Sequence, residues 1–396
     1  MANFNIQKEG KDMKITLVSN NTFSLFGGYE KVVSTVLKNL EEKYDCNILK
    51  IISIPHYVTL LNNQILYDFK QYQIHRDSDY KNKIHYISFI LLRKFLGKDL
   101  LINYNSLKKQ VDTLINSDVI LITDPLLISS VKAVLQGKSY KTKIVYWDHG
   151  SLMGYFRGKY QRLIYGKEIA KSIKLADAHL CISSEIADFI KEIDDKAITY
   201  TVYNPVSKYN GHLIKRSAFP LFLYVGRLSD YDKNISFLLK SLSKIKDKNW
   251  KLIIIGKGPD ELKLKKLAFK LAISDRIEWM GFKENPFSGI KEATALVLTS
   301  RWEGFGMVLV EANQRGIPII SSDCKAGPKD IVINGVNGYL YKEGDMGDFV
   351  SIITSIIDGK LNFESPENIA KTTERFNEEL VISNIYNSLI QVVKEG

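Results

Sequence analysis

Three cysteines in 396 residues, Cys46, Cys181 and Cys324, are odd in number and far apart. That excludes a disulfide framework and a closely spaced zinc site, and leaves them as small hydrophobes for the interior. Long apolar runs are also missing. A membrane-spanning helix needs about 18 consecutive apolar residues, and the best candidate, Ile87 to Leu92, stops at Arg93 and Lys94. Residues 1–13 are polar and hold no apolar stretch for a signal peptide, so the chain is expected to stay in the cytoplasm. No Walker pattern and no complete dinucleotide fingerprint occurs, which argues against ATP and NAD. Helix-turn-helix, zinc-finger and RNP signatures are absent too, so nucleic acid is not an expected partner. There is no low-complexity tract and no repeat of fixed period.

Positive charge, by contrast, is in surplus: 55 Lys and Arg stand against 44 Asp and Glu, a net +11. Such a surplus suits an anionic membrane surface or an anionic small substrate as well as nucleic acid. It is concentrated in two stretches. Residues 81–110 hold seven Lys and Arg against one Asp, and residues 138–174 hold nine against two acids. The first stretch is threaded with Ile87, Phe89, Ile90, Leu91, Leu92, Phe95 and Leu96. Basic residues beside apolar ones are what a protein resting on an anionic leaflet uses; a solvated helix with its apolar side in the core has the same pattern. The expected location is cytoplasmic, peripherally associated with the inner face of the plasma membrane.

At about 150 residues per domain, this length predicts two to three domains. Lys14 to Ser19 is a short apolar run followed by Gly27-Gly28 and an amphipathic stretch from Glu30 to Leu40, which reads as strand, loop and helix. The rhythm recurs at Val119–Ile122, which ends at Asp124-Pro125, at Lys143–Trp147, which ends at Asp148-His149-Gly150, and at Ala178–Ile182. Asn204 to Pro220 breaks it and reads as a linker. A second series follows at Leu221–Val225, Leu252–Ile255, Ile277–Met280, Leu296–Leu298 and Ile317–Ile320. Strands alternating with helices predict an α/β chain with two mostly parallel sheets. In such sheets ligands sit at the carboxyl ends of strands.

Those ends carry the chemistry. Glu303-Gly304-Phe305-Gly306-Met307 leads from a strand to Glu311, and a helix beginning near Gly306 would place Glu303 in the loop before it and Glu311 in its second turn. Helix starts attract phosphate and carboxylate groups, although an ordinary glycine-containing turn with two solvated glutamates has the same spelling. Gly226-Arg227-Leu228 closes an earlier strand and Lys233 follows six residues after Arg227. Arg supplies forked donors and Lys a point charge, a pair able to grip a diphosphate. Gly256-Lys257-Gly258 reads as a structural turn.

Taken in order, Gly27-Gly28-x-Glu30, Gly226-Arg227-Leu228 with Lys233-Asn234, Glu303 to Glu311, and Gly327-Pro328 with Asn337-Gly338 resemble the family 4 glycosyltransferases of the GT-B fold. Trp147-x-His149, Ala176 to Ser184, Asn204-Pro205-Val206, Arg276 to Trp279 and Ser322 to Pro328 are similar to bacterial lipopolysaccharide core 1,6-galactosyltransferases. The resemblance implies two Rossmann-like α/β domains facing each other across a deep cleft: an acceptor-binding domain over 1–205, a nucleotide-sugar-binding domain over 206–375, and a C-terminal helix over 376–396 that packs back on the first. It implies that Arg227 and Lys233 neutralise the leaving diphosphate. Glu303 holds the transferred sugar with the amides of Phe305, Gly306 and Met307, and Glu311 binds the ribose. Gly27, Gly28 and Gly226 admit the donor, His149 contacts the sugar, and Met280 lies by the base.

The same resemblance implies a retaining, metal-independent hexosyltransferase, in which a phosphate oxygen of the leaving group takes the acceptor proton. The donor is a UDP-sugar, galactose or glucose, the acceptor a glycolipid, oligosaccharide or surface-polysaccharide precursor, and no cofactor is expected. Asp77-Ser78-Asp79 resembles the metal-binding carboxylates of the other nucleotide-sugar transferase fold, but has no strong strand before it and reads as non-functional. A GT-B-fold nucleotide-sugar epimerase and a non-catalytic GT-B partner are the alternatives.

Overall fold

The computed structural model describes residues 12–19, 28–52, 57–61, 64–68, 100–102, 104–150, 152–153, 156 and 159–395. The chain divides into two compact units. One comprises Met1–Ile182, Ile186–Val202 and Ile382–Gly396, the other Ser183–Glu185 and Tyr203–Val381. Gly27, Asp77-Ser78-Asp79 and residues 81–99, with Arg93, Lys94 and Lys98, lie outside the described residues, as do parts of 138–174.

In the first unit β1 (Lys14–Ser19), β2 (Asn47–Ile52), β3 (Val119–Ile122), β4 (Lys143–Asp148), β5 (Ala178–Cys181) and β6 (Thr199–Thr201) form a parallel sheet in the order β2-β1-β3-β4-β5-β6. Every residue of β3 and β5 is buried, as befits strands covered on both faces. Helix α1 (Gly28–Tyr44) turns Val32, Val33, Val36, Leu37 and Leu40 inward at helical spacing. Helix α2 (Pro125–Leu135) starts where the sequence signals it: Asp124 accepts the Leu126 N–H at 2.9 Å and proline takes the first position. Between β1 and β3 the order of strand addition reverses. There the Tyr29 hydroxyl donates to Thr123 Oγ1 at 2.8 Å and lies 3.3 Å from Ser19 Oγ.

The second unit holds β7 (Leu221–Val225), β8 (Lys251–Ile255), β9 (Ile277–Gly281), β10 (Ala295–Leu298), β11 (Ile319–Ser322) and β12 (Gly338–Tyr341), all parallel, in the order β9-β8-β7-β10-β11-β12. This is the doubly wound Rossmann order, with its switch point between β7 and β10. Helices α3 (Asp230–Lys233), α4 (Ile235–Ser243), α5 (Glu261–Lys270) and α6 (Met307–Asn313) follow β7, β8 and β10. The core joins Phe222, Tyr224, Leu252 and Ile254 of the sheet to Leu238, Leu242 and Leu264 of the helices. Both sheets thus have the Rossmann-like α/β character expected of the sequence. The last helix, α7 (Glu378–Lys394), carries Tyr386, whose ring stacks on Tyr44 of the first unit at 4.3 Å.

The predicted linker is a correction. Asn204 to Pro220 is folded onto the second unit: the Ile214 N–H donates to Arg315 O at 2.8 Å, and Lys215–Arg216 pairs in parallel with Glu292–Ala293. The Arg315 guanidinium lies 4.2 Å from the Tyr209 ring centroid and 4.7 Å from that of Phe287. Cation–π contacts hold the stretch where apolar residues are scarce. The three cysteines are buried thiols, as the sequence suggested.

Candidate functional site

The second unit's switch point gathers Gly226, Arg227, Lys233 and Glu303. Past β7 the chain turns at Gly226, where a Cβ would meet the Tyr224 hydroxyl at 3.3 Å, and that hydroxyl donates to Arg227 O at 3.2 Å. Burial, then the Glu303 and Asp232 carboxylates, raise the Tyr224 pKa and keep it a neutral donor. Gly256 has a φ of +145°, and a Cβ there would lie 1.9 Å from Gly226 O. The loop after β8 therefore packs backbone against backbone on the loop after β7, the structural role read for Gly256 and Gly258.

Helix α3 ends at Lys233, and Asn234 reverses the chain in the left-handed conformation, φ +51°, before α4. Lys233 Nζ donates to Glu303 Oε1 at 2.6 Å, and the Ser300 hydroxyl donates to the same oxygen at 2.6 Å. Only 19% of the Lys233 side chain and 10% of Glu303 are exposed, so this ion pair is largely screened from water. Arg227 Nη2 donates to Asp232 Oδ2 at 2.7 Å while more than half of the Arg227 side chain stays exposed. Burial would raise the Asp232 pKa, but hydrogen bonds from Ser229 and Arg227 outweigh it and hold the carboxyl below its usual range. Both cations sit beside a carboxylate, at one end of one sheet.

Arg301, Asp232 and Ser300 escape sequence reasoning. Arg301 clamps the Lys233 turn: Nη1 donates to Asp230 O at 2.7 Å and Tyr231 O at 2.9 Å, and Nη2 to Asn234 Oδ1 at 2.6 Å. The Thr299 hydroxyl reaches Lys233 O at 3.1 Å from the same strand end. The available signal is position, since Arg301 lies three residues past β10 and two before Glu303. Arg301→Lys keeps the charge but cannot reach all three acceptors. It is expected to cost about 2 kcal/mol, read as a lower urea midpoint at unchanged slope.

Glu303 leads into α6, capped by Gly306 with φ +94°, and Glu311 falls in the second turn as the spacing predicts. Phe305 is 2% exposed, and its ring sits 5.9 Å from Tyr203 and 5.4 Å from Phe376. Its side chain is thus an anchor, while Met307 at the helix start is half-buried. Met280 is half-buried at the end of β9, and the neighbouring Phe282 is 69% exposed, no core residue. A hollow of about 590 Å³ beyond β11 and β12, lined by residues such as Asp323, Lys329 and Lys342, contains none of the predicted site residues.

The first unit carries the other two described positions. Gly28 begins α1, and a Cβ there would meet nothing within 4 Å among the described residues. His149 follows β4, its ring 4.4 Å from Trp147 and 4.8 Å edge-on to Tyr29. Its Nε2 is buried without a hydrogen-bond partner among the described residues. Burial lowers the His149 pKa to about 3 and that of His179 in β5 to about 4. His149 is therefore neutral, able to contact a ligand but too weak a base to hold a proton.

Both histidines must charge on unfolding in acid. Their folded pKa values lie below the ordinary 6.5, so their share of stability is whole above that pH and is lost as pH falls from 6.5 toward 4 and 3. At pH 5 the two together are expected to cost the first unit about 4 kcal/mol. Thermal melts at pH 7 and pH 5 check this, and His179→Phe should remove about half of the difference.

Residues 210–376 match the family of glycosyl transferases group 1. The chain is 38% identical over 244 residues to the lipopolysaccharide 1,6-galactosyltransferase of Salmonella typhimurium, and 35% identical over 235 residues to that of Escherichia coli. These matches cover 58% and 57% of this chain and just under two thirds of the relatives' own length, 66% and 65%. The structure is similar to the apo form of the lipopolysaccharide outer core galactosyltransferase WaaB, with a TM-score of 0.72 and 28% identity over 96% of this chain and 99% of that one. It shares the fold of Anabaena HepE in complex with UDP, TM-score 0.66 and 18% identity over 96% and 100% of the two chains. No helix among the described residues is long and apolar enough to cross a membrane.

Proposed function

We propose that this chain, whose residues 210–376 match the group 1 glycosyl transferases and whose fold is GT-B, transfers a hexose, galactose before glucose, from a UDP-sugar to a lipid-linked or surface-polysaccharide acceptor. The observation that carries this reading is the Lys233–Glu303 pair at 2.6 Å, set with Arg227 at the switch point of the second sheet. Arg227 and Lys233 neutralise the diphosphate as it leaves, fixed positive charge placed where negative charge grows. Glu303, ionised against Lys233, accepts hydrogen bonds from the sugar's hydroxyls and positions it, while Glu311 takes the ribose. His149, neutral through burial, contacts the sugar as a hydrogen-bonding group.

No carboxylate base is required on this route. A phosphate oxygen of the leaving group takes the acceptor proton on the face from which it departs, so configuration is retained, in contrast to the paired carboxylates of glycoside hydrolases. With two protein cations on the diphosphate, the reaction runs without metal or cofactor. The acceptor brings the enzyme to the inner face of the plasma membrane. Relatives named as lipopolysaccharide 1,6-galactosyltransferases support galactose as the sugar and lipopolysaccharide as the acceptor class.

Incubation with radiolabelled UDP-galactose and a lipid extract, with and without EDTA, tests the proposal. Label is expected in the lipid fraction at equal rates, with the anomeric configuration of the donor. Free epimerised donor with no labelled lipid, an inverted product, or loss of transfer in EDTA each overturns the corresponding part.

A further inference from the structure

We propose that the outward face of helix α5 (Glu261–Lys270) docks on an anionic lipid bilayer. Its sequence, ELKLKKLAFK, spends its inward positions on Leu264 and Ala268, both buried, with Leu267 packed against the core of the second unit. The opposite ridge is not polar. Leu262 and Phe269 are seven residues apart, two helical turns, and so share one line along the helix. They are 68% and 80% exposed. Single exposed apolar residues are ordinary, whereas an apolar line edged by cations marks an interfacial helix.

The flanking charge is of one sign. Glu261 is the helix's one acid, and Lys265 neutralises it at 2.8 Å with its ammonium also 5.5 Å from the Trp279 ring centroid. Lys263 leans toward Asp230 at 3.4 Å. Among the described residues Lys266 and Lys270, four apart beside the Leu262–Phe269 line, have no ion-pair partner. Phe269 and Leu262 enter the acyl boundary while Lys266 and Lys270 reach lipid phosphates, their stems lying along the apolar surface. A polyanion in water would use the lysines and leave the apolar line unexplained. The surface gives the membrane contact of the proposed function a place in the second unit, and rests on that reading for its purpose only.

Co-sedimentation of the full chain with vesicles of phosphatidylglycerol and phosphatidylcholine, against pure phosphatidylcholine, tests this. The chain is expected on the anionic vesicles and to be released by about 0.5 M salt. Lys266→Glu with Lys270→Glu, and separately Leu262→Ser with Phe269→Ser, should each lower the bound fraction about tenfold, with melting temperature and UDP-galactose thermal shift unchanged. Phe269→Trp should give tryptophan emission that moves to the blue on anionic vesicles. Variants that sediment like the parent, equal binding to neutral vesicles, or no emission shift overturn the proposal. So does heparin binding that needs the lysines alone, or a dimer that the Leu262→Ser, Phe269→Ser chain no longer forms. Vesicle binding without transfer would sink the proposed function and spare the surface, and transfer without vesicle binding the reverse.

Discussion

Lys233→Ala is expected to lower kcat for sugar transfer about a thousandfold, and Glu303→Ala by about a hundredfold or more. The two losses differ in origin. In the proposed mechanism Lys233 would meet charge that grows only as the diphosphate leaves, so its removal should show in kcat, whereas Glu303 would touch the sugar throughout and its removal should show in KM as well. Each single change also strands a charge in a site where only 19% of the Lys233 side chain and 10% of Glu303 are exposed. Breaking a largely buried pair from one side costs about 3 kcal/mol, more than removing both members. The chain with both Lys233→Met and Glu303→Leu should therefore melt higher than either single alanine variant while remaining inactive. Calorimetry and initial rates on the four proteins separate the effects. Alanine variants that melt like the parent and keep its rate would remove the site assignment.

The charge that drives catalysis in this reading is held by contacts that the one-dimensional pattern does not show. Lys233 and Glu303 are legible because both lie just past strands that read as apolar runs, and because their order matches a known family. Their contact is not, since 70 residues separate them and only the reversal of strand order between β7 and β10 brings the two ends together. The Arg301 clamp is hidden for a related reason: two of its acceptors are backbone carbonyls, which have no residue-type signature. Strands follow the same logic. β3 and β7 are found to the residue because parallel strands buried on both faces are continuously apolar. β2 has no such run, its Leu49 being 49% exposed at the sheet edge. β11 starts two residues later than the apolar run Ile317–Ile320 suggests and ends on Ser321 and Ser322, which are buried; the Ser322 hydroxyl donates to Ser300 O at 2.6 Å, so a polar group closes a core strand at little cost. The folded stretch from Asn204 to Pro220 misleads because a guanidinium between two rings looks, residue by residue, like surface.

Gly327→Ala should damage this site from a distance. Gly327 has a φ of +102°, and a Cβ there would lie 1.9 Å from Phe305 O and 2.5 Å from its carbonyl carbon. Those are backbone atoms, and no rotamer relieves the overlap. Phe305 cannot withdraw freely either, because its ring packs against both Tyr203 and Phe376, which also contact each other. Either the turn at Gly327 or the segment from Glu303 to Gly306 must move by more than about 1 Å, a displacement of the kind that costs about a hundredfold in rate when it reaches reacting groups. Positive φ alone adds about 1–2 kcal/mol for alanine, and the collision brings the expected loss of stability to more than about 3 kcal/mol. Gly344→Ala isolates the contribution of backbone conformation. Its φ is +77° and a Cβ there would meet nothing within 4 Å, so it should melt only slightly lower and keep full transfer. A Gly327→Ala chain as active and as stable as the Gly344→Ala chain would show that the loop carrying Glu303 is not braced by this contact, and that the placement of Glu303 is set by α6 alone.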